Sequence, residues 1–171
     1  MASGNVVGQI VNVMPPSTLF AVPGVRLGGS SPAEMVPIWS FDAATDWMID
    51  FYCYLRGYAG GGLTVNLKWA AASATTGNTV WQAAIRSVAD DAEDLDAAHT
   101  YDYNSGGQDL APSLSGELSY DPVTFTDGAD MDSLADGEYF VLRVRRDADS
   151  TSATDDMAGD AQLVSVEIRE T

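Results

Sequence analysis

Residues 47–56 alternate without a break. Trp47, Ile49, Phe51, Cys53 and Leu55 fall on one row, and Met48, Asp50, Tyr52, Tyr54 and Arg56 on the other. A period of two over ten residues marks a β-strand with one buried face, because successive side chains point to opposite sides of a sheet. The pattern resumes at Leu63, where Leu63, Val65, Leu67 and Trp69 alternate with Thr64, Asn66 and Lys68. Between the two lie Gly57, Tyr58, Ala59 and the run Gly60-Gly61-Gly62, which permits a loop with positive φ. The pair reads as an antiparallel hairpin with one apolar face. Such a hairpin is marginal in water by itself, so a second sheet must cover that face.

The remaining chain offers strands to build it. Residues 35–42, 79–88, 138–146 and 162–169 alternate in the same way, and 117–120 and 123–126 are shorter candidates broken at Asp121-Pro122. One helical turn is expected near 130–134, and 90–108 reads as a long polar excursion. About eight strands and no convincing helix in 171 residues predict a single all-β domain. The expected architecture is an antiparallel β-sandwich of jelly-roll type, with an immunoglobulin-like sandwich as the alternative.

Residues 1–34 contain one base, Arg26, and one acid, Glu34, among Gly, Pro, Ser, Val and Met. Pro15-Pro16, Pro23 and Pro32 block helix and central strand, which predicts an extended N-terminal arm over 1–34 preceding a sandwich over 35–171. The arm is too apolar for a disordered tail. Its expected role is to lie on a neighbouring subunit or scaffold, anchored by Ile10, Val13, Leu19 and Phe20; wrapping its own domain is the alternative.

Charge divides the chain. Residues 1–89 balance four acids against four bases, whereas 90–171 hold 21 acids against four arginines and so carry the whole net charge of −17. A surface this acidic repels phosphate backbones and anionic lipid, so neither nucleic acid nor membrane is an expected partner. No basic segment leads into an apolar run at the N-terminus, and no stretch of eighteen apolar residues occurs, so a soluble protein made in a cytoplasm is expected.

Catalysis finds little support. The single histidine, His99, lies in the polar excursion, and the single cysteine, Cys53, sits on an apolar row as a buried hydrophobe. Neither a nucleophilic enzyme nor a zinc site follows from one of each, and no cofactor is expected. Carboxylates suited to a hard cation cluster at Asp90, Asp91, Asp94 and Asp96, at Asp127, Asp130 and Asp132, and at Asp147, Asp149, Asp155 and Asp156. None has EF-hand spacing, so they read as solvated acidic loops. A hydrolase would need two close acids, one with a raised pKa. Tyr52, Tyr54 and Tyr58 are the outward aromatics; their apolar bodies and polar tips suit either a subunit interface or a platform that stacks on sugar rings.

The run Ser133-Leu134-Ala135-Asp136-Gly137-Glu138-Tyr139-Phe140-Val141-Leu142-Arg143-Val144, with Gly159 to Ile168 and the Gly60-Gly61-Gly62-Leu63-Thr64-Val65 to Ala71 segment, resembles small jelly-roll virion proteins of tailed bacteriophages. That group includes head decoration (cement) proteins and domains of tails or fibres. The resemblance implies a structural virion component. Its first expectation is a cement protein on the outer capsid surface, made in the host cytoplasm, binding the major capsid protein as a homotrimer and stabilising the shell. The alternative it leaves is a tail-fibre receptor-binding or carbohydrate-binding module.

Overall fold

The computed structural model describes residues 4–89 and 93–171. Ten strands run in chain order: β1 (Gly8–Met14), β2 (Val22–Leu27), β3 (Met35–Phe41), β4 (Met48–Leu55), β5 (Leu63–Ala71), β6 (Asn78–Val88), β7 (Asn104–Leu110), β8 (Ser119–Phe125), β9 (Tyr139–Arg146) and β10 (Ala161–Glu170). One 3-10 turn, Ala129–Met131, precedes β9. The strands form two antiparallel five-stranded sheets, ordered β1-β4-β9-β6-β7 and β2-β3-β10-β5-β8, packed as a β-sandwich of jelly-roll type.

The apolar rows read from the sequence meet between the sheets. Ile49, Phe51, Cys53 and Leu55 of β4 are buried opposite Leu63, Val65, Leu67 and Trp69 of β5, with Phe41, Trp81, Phe125 and Phe140 filling the same layer. Phe41 meets Trp81 edge-on with ring centroids 4.8 Å apart, and Trp69 lies 6.2 Å from Trp81. Aromatic pairs at these separations favour such tilted contacts over flat stacking.

Several expectations need correcting. β4 and β5 do not form a hairpin: β4 pairs with β1 and β9, and β5 with β10 and β8, in different sheets. Both carry a full apolar row, and two such rows bury more surface facing each other across the core than side by side. The glycine loop is the crossing between sheets. At Gly62 φ is +99°, and a Cβ would lie 2.3 Å from the Phe125 carbonyl oxygen, so glycine is required there.

The excursion over 90–108 contains the start of β7, whose sequence NSGGQDL lacks an apolar row because it is an edge strand paired only with β6. The two short strands expected around Asp121-Pro122 are one, β8. Pro122 sits opposite Asn66 on an edge strand, where no ladder needs its missing N–H on the far side.

The boundary at residue 34 does not coincide with a break in the fold. β1 is an edge strand of the first sheet and β2 of the second, Val7 and Ala21 are buried in the common core, and the Val7 N–H donates to the Ile168 carbonyl at 3.0 Å. The apolar content of 1–34 thus serves partly to wrap its own domain. Of the expected anchors, Ile10, Leu19 and Phe20 are exposed, while Val13 packs partly against the core.

Arg146 extends the inward row of β9 beyond Phe140, Leu142 and Val144, and its side chain is fully buried. It donates to both Asp155 oxygens, at 2.8 and 2.6 Å, and to the carbonyls of Gly159 and Met157 at 2.7 and 2.8 Å. This bond set pins the acidic 147–160 loop to the end of the sandwich.

Candidate functional site

The outward rows of the first sheet gather chemistry that the sequence leaves scattered. Register aligns Gln9, Tyr54, Tyr139 and Val88 across β1, β4, β9 and β6, and in the next row Asn12, Tyr52, Val141 and Arg86. A third row holds Met14, Asp50, Arg143 and Ala84. Tyr52, Tyr54 and Tyr139 form one cluster: Tyr54 and Tyr139 have centroids 5.2 Å apart, and Tyr52 stacks on Tyr139 at 6.4 Å with 22° between planes. All three rings are half-buried. Burial raises the Tyr52 phenol further above its ordinary value, as does the Asp50 charge; burial and then the neighbouring Tyr52 and Tyr54 do the same for Tyr139. Both remain neutral hydroxyls across the physiological range.

Beside the tyrosines, Arg143 binds Asp50 through two hydrogen bonds, at 2.6 and 2.7 Å. Burial opposes the Arg143 charge, and the Asp50 hydrogen bonds and charge outweigh it. The loop before β7 folds onto this face: the Tyr101 ring lies 3.8 Å from the Arg143 guanidinium and the Tyr103 ring 3.9 Å from that of Arg145. Stacking of this kind holds a planar cation and leaves its edge N–H groups free to donate.

Two depressions flank Glu93, which pairs with Arg86 at 3.1 Å. The first, about 300 Å³, is lined by Arg86, His99, Thr100, Asp102 and Asp130 among others; the second, about 460 Å³, by Val88, Leu95, Glu138 and Tyr139. Arg86 Nε and His99 Nε2 are buried without a hydrogen-bond partner among the described residues, and both residues line the first depression. The face therefore combines flat apolar rings, fixed polar groups and concave ground, a combination that suits a hydroxyl-rich, flat-faced ligand.

Tyr52 and Tyr54 stand where the alternation put them. Tyr58 does not join them: beyond the end of β4, its hydroxyl donates to Asp127 at 2.7 Å and accepts from the Gly62 N–H at 2.9 Å, which closes the inter-sheet loop. It lines a separate depression with Asp127, Leu134 and Asp136. Tyr139 and the Asp50–Arg143 pair are the members that sequence spacing missed. Their outward parity was visible, but the pairing of β4 with β9 joins Asp50 to Arg143, 93 residues apart.

The acidic clusters serve the fold at several points. Asp155 answers Arg146, and the Asp132 carboxylate accepts from the Ser87 N–H at 3.0 Å. Asp46, Asp147 and Asp149 bring carboxylate oxygens within 4.8 Å of one another. Asp147 is engaged by the hydroxyls and N–H groups of Thr151 and Ser152, which outweigh its burial and hold its pKa at about 2. Asp46 pairs with Arg145 at 3.2 Å. Asp90 and Asp91 lie outside the described residues.

Two acids with one raised pKa do occur. Burial, and then the Asp109 charge, push Asp121 up to about 7. The pair lies in the seam where β7 packs on β8, and Asp109 is occupied by the Trp69 Nε1–H at 2.8 Å and the Ser119 hydroxyl at 2.7 Å. Asp121 is only 3% exposed, and neither acid lines any of the three depressions described above. Cys53 is inward and buried, and desolvation pushes its thiol up to about 12, which leaves no thiolate nucleophile at neutral pH.

No family model matches this chain, and no curated protein matches it. Among solved structures it is similar to the CBM22-1 xylan-binding domain of Paenibacillus barcinonensis Xyn10C, at 7% identity over 98% of this chain and 95% of that one, with a TM-score of 0.49. It is also similar to TmCBM61, solved in complex with β-1,4-galactotriose, at 8% identity over 94% of this chain and 88% of that one, with a TM-score of 0.38.

Proposed function

We propose that this chain is a carbohydrate-binding module whose glycan lies across the outer face of the first sheet, on Tyr52, Tyr54 and Tyr139. The observation that carries this reading is the tyrosine cluster itself, three half-buried rings in which Tyr139 lies 5.2 Å from Tyr54 and 6.4 Å from Tyr52, beside the Asp50–Arg143 pair. A pyranose ring presents C–H groups on its faces and hydroxyls around its rim. The rings receive the first, and Arg86, Arg143 and the phenolic hydroxyls reach the second. No bond is made or broken in this role.

The test is native gel electrophoresis through soluble polysaccharides, with xylan and a β-1,4-galactan as first probes. Wild type is retarded by at least one glycan, and Tyr52→Ala and Tyr139→Ala, with unchanged circular dichroism, lose about tenfold or more in affinity. Failure of every glycan to retard the wild type, or wild-type retardation of both variants, overturns the reading.

A second reading keeps the chain as a virion subunit that decorates a phage head through the major capsid protein. It is favoured by one observation: ten of the fifteen exposed large apolar side chains among the described residues lie between Val6 and Met35, in a segment with only Arg26 and Glu34 charged. Co-sedimentation with heads stripped of accessory proteins separates it from the first.

A further inference from the structure

β7 and β8 close one side of the sandwich by packing on each other. Each is the edge strand of its own sheet, β7 paired only with β6 and β8 only with β5, so no ladder joins them. Side chains do so instead. Asp109 of β7 accepts from the Ser119 hydroxyl of β8 at 2.7 Å and from Trp69 Nε1–H of β5 at 2.8 Å, and Asn104 Nδ2 of β7 donates to the Thr124 carbonyl of β8 at 2.7 Å. Into this seam β8 turns a second acid. Asp121 shares the inward parity of Val123 and Phe125, sits opposite Leu67 of β5, and is buried. Its Oδ2 is buried with no hydrogen-bond partner among the described residues, and its Oδ1 fills the space beside Gly106 where a Cβ would collide. A carboxyl buried without a donor is costly as an anion and far less so as a neutral acid.

The elements packed on Asp121 supply no cation to offset it among the described residues. β7 brings one charged group, Asp109, which adds a like charge. β5 brings Lys68, whose ammonium lies over the exposed Tyr120 ring on the outer face of the second sheet. β6 brings Arg86, which pairs with Glu93, and the link between β7 and β8 brings Glu117, which accepts from the Ser113 hydroxyl and the Leu114 N–H. We propose that this seam is a proton-operated clasp: it holds while Asp121 carries its proton and loosens when that proton passes to water, letting β7 part from β8 while the inner strands stay paired. Opening hydrates the carboxylate and draws it away from Asp109, so ionisation favours the open seam and protonation the closed one. Because no ladder crosses the seam, parting breaks the side-chain bonds named above and no strand pairing. The closed seam holds the proton to about 7 against an ordinary 3.8, so opening gains with rising pH between these values and levels off above them. Mild acid therefore tightens this side of the sandwich, and near neutrality it is at its loosest.

The experiment is hydrogen exchange of the full chain followed by NMR at pH 5 and pH 8. Trp69 Nε1–H, buried in the seam on Asp109, is the reporter, and the backbone amides of β9, between β4 and β6, report opening of the whole fold. After correction for the intrinsic rate, Trp69 protection should fall by about tenfold or more from pH 5 to pH 8. At pH 8 it should lie well below that of the slowest β9 amides and depend little on urea, because parting the seam exposes far less surface than unfolding. Asp121→Asn, which keeps the shape and cannot ionise, should remove the fall. Trp69 protection equal to that of the slowest β9 amides, with the same urea dependence, means that the seam opens only with the whole fold and overturns the proposal. So does a fall that persists in Asp121→Asn. A carbon-13 titration of the Asp121 carboxyl in the wild type needs no variant, and a midpoint near the ordinary 3.8 overturns it as well.

Discussion

Arg146→Met is the perturbation whose cost the structure fixes most closely. Arg146 and Asp155 have fully buried side chains, and the guanidinium spends its donors on both Asp155 oxygens and on the Gly159 and Met157 carbonyls. Methionine fills most of the volume but supplies no donor. Asp155 keeps the Val80 N–H at 3.0 Å and the charge of a carboxylate with no cation beside it. Removing one partner of a buried pair costs about 3–5 kcal/mol, because the other is left charged out of water. In a domain of this size each kcal/mol moves the midpoint by about 2–4 °C, so Arg146→Met should melt roughly 6–20 °C below wild type. Arg146→Met/Asp155→Leu removes the stranded charge as well and should recover more than half of the loss. Urea unfolding followed by tryptophan fluorescence of the wild type, these two variants and Asp155→Leu completes the cycle and gives the coupling energy. A loss below about 1 kcal/mol for Arg146→Met, or a double variant no better than the single, would refute the claim that this pair holds the 147–160 loop to the sandwich.

Two further predictions concern stability. Asp121 has a folded pKa of about 7 against an ordinary 3.8, so the native state binds more protons than the unfolded state between these values, and this group's contribution to stability falls as pH rises through that window. Asp121→Asn should therefore stabilise by about 2–4 kcal/mol at pH 8 and distinctly less at pH 5; an equal gain at both would show that the carboxyl is not held protonated. Gly62→Ala places a methyl 2.3 Å from the Phe125 carbonyl oxygen at φ +99° and should cost about 2 kcal/mol or more by urea unfolding, whereas a neutral result would mean that the loop shifts freely.

How much was legible in the sequence follows from the range of each interaction. Alternation is local, so β3, β4, β5, β6, β9 and β10 could be read directly, along with the inward place of Cys53 and the outward place of Tyr52 and Tyr54. Sheet membership is not local. The Gly60-Gly61-Gly62 loop looks like a hairpin turn, and nothing within fifteen residues says that β4 and β5 face each other across the core. β7 was hidden because Gly106, Gly107 and Gln108 give an edge strand no apolar row. The segment before residue 34 misled for a related reason: prolines that exclude a central strand still permit edges, and both strands there are edges. Arg146 carried a signal that could have been used, since an arginine on the parity of Phe140, Leu142 and Val144 demands a buried acid. Which of the many acids answers it depends on the return of the 147–160 loop.

The central claim is that glycan sits on the tyrosine face, and ring-selective NMR tests it most directly. With tyrosine rings carbon-13 labelled, addition of a retained glycan should shift the Tyr52, Tyr54 and Tyr139 resonances together. Tyr120, exposed on β8 of the other sheet, should stay fixed as the internal control. No shift at the three rings with any glycan, or shifts confined to Tyr120, would contradict the account.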